Sequence, residues 1–476
     1  MTNVQWDTKI IDGLLVENGR IVKGTIYIKN GEIAAIAQED TLGEAKEVID
    51  AKGLHVLPGL IDTHVHSRDP GPTYKEDFYY SSQAAAAGGI TTILEMPNTT
   101  PPVSDVESFD NQVANLSGKA HVDFGLWGIC VGDLNKKDIA PLHERGVIGF
   151  KFFWGYAVHA KTFQLMYNYK PGMEDVIPPF DDGEVYSMMK EVSKTGNLFA
   201  VHAENNHLIQ AFTREVEARQ GTSYDDLIQS RPELVEVTTV QSGIAMAKDL
   251  GTRLHILHVS SAGGVDAVKE AQEAGYPITV ETCPHYLFLS DKDYDHVGPQ
   301  MKVYPPVKYE KDQKRLWERV KDGTISHVCS DHAPHTEEEK DGELWSIPAG
   351  MCGVESLAPL LLTAVHDNRL LITDIARLLA EEPAKLHGIY PQKGSLQVGT
   401  DADFTLVDLQ KSGTLKREEL HSKSKVTAYD GFPLHGVPVR TIVRGKTVMK
   451  DGAIEGEAGY GQLVTPASSR KEAALS

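Results

Sequence analysis

The segment GLIDTHVHSRDPG, Gly59 to Gly71, closes an apolar run with two histidines one residue apart. On a β-strand, residues i and i+2 face the same way, so His64 and His66 would present two imidazoles together, a pair suited to one metal ion. Two polar residues at a strand end are the plainer alternative, and this pair alone does not choose between them. Four further candidates close other apolar runs: Lys151 in VIGFKFF, His202 in LFAVHAE, His258 in RLHILHV and Asp331 in SHVCSDH. Imidazole and carboxylate suit zinc, and also manganese, cobalt or iron. Lys151 is the odd member. A charged lysine inside a buried strand is costly, so its pKa should fall, unless its head escapes to the rim along a packed stem. A neutral amine can combine with carbon dioxide to form a carbamate, an anionic two-oxygen ligand able to bridge two ions.

These residues need a scaffold that gathers strand ends. From about residue 55, eight short apolar runs alternate with amphipathic stretches such as KEDFYYSSQAAAAGG, GEVYSMMKEVSKTG and GVDAVKEAQEAG. Near-continuous apolar strands alternating with helices indicate a parallel sheet covered on both faces. Eight units favour a (β/α)8 TIM barrel over an open sheet, and a barrel collects its catalytic groups at the C-terminal strand ends. Residues 1–54 and 390–460 read differently, as alternating strands with hairpin signals at Asn18–Gly19 and Asn30–Gly31. Neither end would bury a core alone, so the expectation is one small β-sandwich domain formed by both chain ends. It would flank a barrel over 55–389, with a tail at 461–476 that is loose or docks a partner.

Composition narrows the function classes. A formal net charge of −20 over 476 residues argues against non-specific nucleic-acid binding and against anionic membrane surfaces. No run is long and apolar enough to span a bilayer, and the N-terminus lacks a signal-peptide layout. The four cysteines, Cys130, Cys283, Cys329 and Cys352, are widely spaced and form no CxxC pattern, so a reduced, cytoplasmic location is expected.

The ordered set PGLIDTHVH, AAAAGGITTILEMPN, GFKFF, VHAEN, LHVSS, ETCPHYLFL, SDHAPH and KGSLQVGTDADFTLVDL resembles the cyclic-amide branch of the amidohydrolase superfamily. That branch includes hydantoinases, dihydropyrimidinases, allantoinases and dihydroorotases. The resemblance covers nearly the whole chain and implies a barrel with a flanking β-domain and two divalent metal ions, zinc first. Carried over by position, His64, His66 and Asp331 would hold one ion, His202 and His258 the other, and Lys151, as N6-carboxylysine, would bridge them. A hydroxide shared by both ions would attack a ring carbonyl, and Asp331 would pass its proton to the departing nitrogen. The resemblance also implies a homotetramer.

For the substrate, Tyr156 stands where dihydropyrimidinases and many hydantoinases carry an oxyanion-stabilising tyrosine. Thr282 and Gly350 resemble ureide-binding backbone positions. HSRDPG, EMPNT and SDHAPH are dihydroorotase-like, and there Arg68, Asn98 and His335 would hold a substrate carboxylate. VHAEN, GIYPQKGSLQVG and YDGFPLHGVPVRTIVRG instead resemble hydantoinases, especially the L-hydantoinase type. The expectation is therefore hydrolysis of a hydantoin-like ureide ring to an N-carbamoyl amino acid, with allantoin or dihydroorotate as alternatives. A lid rich in Phe, Trp and Tyr would admit bulky 5-substituents. A non-catalytic dihydropyrimidinase-related scaffold would have lost metal ligands, whereas all six candidate positions are filled. A mononuclear deaminase of the same superfamily would not need Lys151.

Overall fold

The computed structural model describes residues 5–469 apart from 18, 162–164, 167–168 and 171. Eight parallel strands form the barrel: Leu60–Val65, Ile90–Glu95, Asp123–Leu126 (continued by Gly128–Ile129), Phe150–Trp154, Leu198–Ala203, Arg253–Ile256, Thr279–Thr282 and His327–Val328. Each falls within an apolar run, and the first, second, fourth and fifth are buried along their whole length. Such burial on both faces is what a strand between a filled barrel and covering helices requires. Closure is made just beyond the last strand. Val65 bridges His332 in parallel register, the His66 N–H donates to the His332 carbonyl at 2.8 Å, and Asp62 accepts the Ser330 N–H at 3.0 Å.

The helices form where their caps are written. Asp181 begins Asp182–Thr195 with a reciprocal capping box to Glu184, and Gly196 ends it. Asp77 caps Phe78–Ala87 and Ser261 caps Ala262–Glu273. Each such cap contributes about 1 kcal/mol by satisfying amide donors left open at a helix start.

Both chain ends join one nine-stranded sheet. Its path runs Ala453–Ile454, Lys446–Lys450, Pro433–Val443, Phe404–Thr414, His55–Pro58, Trp6–Glu17, Arg20–Lys29 and Glu32–Ala37, with Ala45–Asp50 beside Trp6–Glu17. His55–Pro58, a little beyond residue 54, is the seam: it lies antiparallel to Phe404–Thr414 and parallel to Trp6–Glu17. Ile10, Ile26, Ile33, Val56, Phe404 and Ile442 form the buried apolar layer beneath this sheet. At the Asn30–Gly31 turn both residues have positive φ, as a tight hairpin requires. The other expected turn falls on residue 18, outside the described residues. In the last segment, Phe124 exchanges backbone hydrogen bonds with Gln462 and Val464, so this stretch packs on the third barrel strand. Residues 470–476 lie outside the described residues.

Candidate active site

His64, His66, Lys151, His202, His258 and Asp331 all line one pocket; five stand at or just past C-terminal strand ends, whereas Lys151, expected near the end of the fourth strand, is the second residue of Phe150–Trp154 and reaches the pocket from within it. Lys151 Nζ lies 3.0 Å from His64 Nε2. Asp331 Oδ1 lies 3.3 Å from His64 Nε2 and 3.6 Å from His66 Nε2. His202 Nδ1 faces His258 Nε2 at 3.1 Å. One donor atom each from His64, His258 and Asp331 falls within 4.8 Å of the others. The backbone helps to aim them: His258 and Asp331 adopt left-handed φ of 36° and 46°, and nearby Arg68 has φ 63°. Such conformations cost on the order of 1–3 kcal/mol each and persist only where surrounding structure holds them.

Two buried carboxylates set the chemistry of these rings. Glu281 Oε1 lies 2.8 Å from His64 Nδ1, while its Oε2 meets His327 Nε2 at 3.0 Å, Thr63 Oγ1 at 3.1 Å and His255 Nε2 at 3.3 Å. Burial opposes its ionisation, but these histidines outweigh that and hold its carboxyl well below the usual range. An ionised carboxylate only accepts, so His64 must carry its proton on Nδ1 and turn a bare Nε2 to the pocket. Glu204 Oε2 does the same for His202 Nε2 at 2.8 Å, leaving Nδ1 bare. Sequence reasoning did not single out Glu204 or Glu281. The signal was a carboxylate inside an apolar strand run, in one case two residues from a histidine and so on its face.

Burial pushes the Lys151 amine down to about 8. Burial and neighbouring positive groups push His66 and His258 well below the ordinary imidazole value. The pocket thus gathers four imidazoles, three of them (His66, His202 and His258) made less basic by burial, a lysine of weakened basicity and one carboxylate at short range. That donor set fits divalent ions. Of three other clusters of metal-ligating types among the described residues, one, His64 with Glu281 and Cys329, shares residues with this site, and two have different roles. Among Asp123, Asp401 and Asp403 sits the Lys393 ammonium. His255, Glu281 and His327 are tied to Thr279, Thr63 and Ser326 as the support beneath His64.

The remaining expected residues are distributed unevenly. Tyr156 lines the pocket, its hydroxyl 3.3 Å from Glu204 and its ring centroid 4.8 Å from that of His202. Arg68 and Asn98 line both this pocket and an adjoining cavity of about 580 Å³. Arg68 Nε donates to the Pro334 carbonyl at 3.2 Å, and among the described residues no carboxylate lies within ion-pair distance of it. His335 lines only the adjoining cavity, with Nε2 3.0 Å from the Ala349 carbonyl oxygen and Nδ1 between Lys75 and Glu339. Gly350 lines the pocket at φ 132°, and a Cβ there would sit 2.4 Å from the Ala333 carbonyl oxygen. Thr282 is not among the lining residues: its hydroxyl bonds the Val259 carbonyl and its own carbonyl accepts from the Cys329 N–H. A second cavity, of about 600 Å³, opens beyond Tyr156, Tyr304, Trp345 and Arg231.

Comparison with known proteins places this architecture. An L-hydantoinase from Paenarthrobacter aurescens is 36% identical over 456 residues, 95% of this chain and 96% of that protein. An allantoinase from Rubrobacter xylanophilus is 37% identical over 469 residues, 96% of this chain and 99% of that one. The solved structure of L-hydantoinase (dihydropyrimidinase) from Arthrobacter aurescens superposes with a TM-score of 0.90 at 35% identity, covering 97% of this chain and all of that one. A D-hydantoinase structure gives 0.87 at 28% identity. Residues 55–448 match the amidohydrolase family, a span that takes in the barrel and part of the β-domain, and the chain belongs to that family.

Proposed function

We propose that this enzyme is a binuclear metal-dependent cyclic amidohydrolase that opens a hydantoin-like ureide ring to an N-carbamoyl amino acid. The observation that carries the reading is the convergence of His64, His66, Lys151, His202, His258 and Asp331 on one pocket. His64, His66 and Asp331 would hold one divalent ion, His202 and His258 the other, and carboxylated Lys151 would join both sets. Zinc is the first expectation, with manganese, cobalt and iron compatible with the same ligands. Two such ions, when bound, supply a water of lowered pKa and polarise a carbonyl.

The chain's own residues do the rest. Asp331 Oδ1, within 4 Å of both His64 and His66, would accept a proton from the attacking water and return it to the departing ring nitrogen. Tyr156 Oη would donate to the carbonyl oxygen as negative charge develops there. Arg68 and Asn98, where the pocket meets the 580 Å³ cavity, would select the ring's substituent, and backbone at Gly350 would orient the ring. Thr282, with hydroxyl and carbonyl engaged within the barrel, is left with a supporting role. His335, on the wall of that cavity, would contact a substituent that reaches it. A homotetramer in the cytoplasm is proposed from the family resemblance and the four buried, unpaired cysteines. No helix among the described residues is long and apolar enough to cross a membrane.

Ring opening of allantoin is the second reading. It is favoured by relatives named allantoinase at 34–38% identity. Ring-opening rates on a 5-substituted hydantoin, dihydrouracil, allantoin and dihydroorotate, measured on one metal-loaded sample, test the assignment. Dominant hydantoin turnover supports the first reading; preference for allantoin or dihydroorotate replaces the substrate but keeps the site; no turnover of any ring overturns it.

A further inference from the structure

Glu204 Oε2 is the meeting point of three donors from three parts of the chain. His202 Nε2 lies at 2.8 Å, Arg231 Nη1 at 2.5 Å and Tyr156 Oη at 3.3 Å. His202 and Glu204 close the fifth barrel strand, Tyr156 follows the fourth, and Arg231 ends the helix Tyr224–Ser230. All four are buried. Arg231 also lies flat against Tyr304, 3.8 Å from its ring centroid, and faces the Tyr156 ring at 6.0 Å. Tyr304 in turn lines the metal pocket and both flanking cavities.

Stability does not account for this pair. A buried ion pair loses so much hydration that an apolar pair of similar volume stabilises a fold as well or better. What an apolar pair lacks is an accepting oxygen at this point. The Arg231 guanidinium donates to Oε2 at 2.5 Å, and His202 Nε2 and the Tyr156 hydroxyl reach the same atom. That accepting oxygen holds the proton of His202 on Nε2, so Nδ1 keeps a free lone pair toward His258. The same oxygen takes the Tyr156 hydroxyl hydrogen through a long bond that a substrate oxygen can outcompete. Arginine has donors and no acceptor, so Arg231 does not compete for that hydrogen.

We propose that Arg231 is a positioning residue which, through the single oxygen Glu204 Oε2, couples binding of the ion at His202 and His258 to presentation of the Tyr156 hydroxyl to substrate. This rests on the metal-centre reading given above. Loss of Arg231 should therefore weaken one ion selectively and impair Tyr156 at the same time, although Arg231 is not among the residues that line the metal pocket.

The test is a cobalt(II) titration of metal-free protein followed by visible absorption, with ring-opening kinetics and melting temperature. Wild type is compared with Arg231→Lys, Arg231→Met and the double variant Glu204→Gln/Arg231→Met. Arg231→Met should bind one equivalent as wild type does and the second about 10–100-fold more weakly, the usual cost of losing a partner behind a metal ligand. Arg231→Lys, which keeps the charge but not the flat contact with Tyr304, should bind both equivalents and lose kcat about tenfold with KM little changed. The double variant leaves no unpaired charge and should melt near wild type without regaining kcat, so the test stands even if Arg231→Met folds poorly. Wild-type affinity for both equivalents and wild-type kcat in Arg231→Met would overturn the coupling alone, as would full recovery in the double variant. Wild type that binds fewer than two equivalents would overturn the site reading and the coupling with it.

Discussion

Lys151 and Glu281 show how single residues acquire function from burial. With its amine pushed down to about 8, roughly a tenth of Lys151 is neutral at pH 7, against fewer than one in a thousand for an exposed lysine. Only the neutral form adds carbon dioxide. Reloading of metal-free enzyme should therefore speed up with added bicarbonate, and intact-mass analysis should show one carbon dioxide increment per chain. Lys151→Ala should lose binuclear loading, activity and the bicarbonate effect together; unchanged metal content in that variant would refute the bridge. Glu281 acts one step back. Glu281→Gln removes the obligatory acceptor behind His64, so its amide can place either a donor or an acceptor there. Metal affinity or activity should fall about 10–100-fold, measured by competition with a chelator of known affinity.

At the scale of elements, the loop 341–350 is held by lysines rather than by regular structure. Lys302 Nζ donates to the carbonyls of Leu344 and Ile347, both at 2.6 Å. Lys340 Nζ reaches the carbonyls of Lys302 at 3.1 Å and Pro348 at 3.0 Å. Trp345, between these anchors, lines both large cavities, and Gly350 follows at the pocket itself. Lys302→Met leaves two carbonyls without their donor and frees the wall that carries Trp345. KM should rise several-fold while metal content stays at the wild-type value; a drop in metal content would place Lys302 in the metal centre instead.

Across the whole molecule, barrel and β-domain are joined by a buried charge cluster. Lys393 lies 2.6 Å from Asp403 and 2.8 Å from Asp401, and it also pairs with Asp123 at the start of the third barrel strand. Arg444, from the β-domain, pairs with Asp123 too. Lys393→Met strands buried carboxylates and should destabilise the protein by about 3–5 kcal/mol in denaturant unfolding, with kcat preserved where the variant is folded. That separation is expected because Asp123 opens its strand, at the opposite end of the barrel from the metal pocket. The molecule's large negative charge is likewise no guide to its site, where Arg68, Lys75 and Lys302 line the cavity beside the pocket.

Periodicity in the chain itself made the parallel strands and their covering helices legible, because a buried parallel strand must be apolar along its length; closure of the sheet was decided by tertiary contacts of His332 and Ser330 with the first strand. The same reading located His64, His66, Lys151, His202, His258 and Asp331. The residues that govern those six were not legible. Glu281 and Arg231 act across separations of 217 residues to His64 and 27 to Glu204, distances only folding removes. The left-handed backbone at His258 and Asp331 was equally hidden, since neither residue type demands it. Thr282 illustrates the converse: a motif position expected to contact substrate has its hydroxyl on the Val259 carbonyl and its carbonyl on the Cys329 N–H, partners that only strand pairing supplies. Sequence spacing decides which groups reach a strand end; which way each points, and in which protonation state, depends on neighbours that only the tertiary structure supplies.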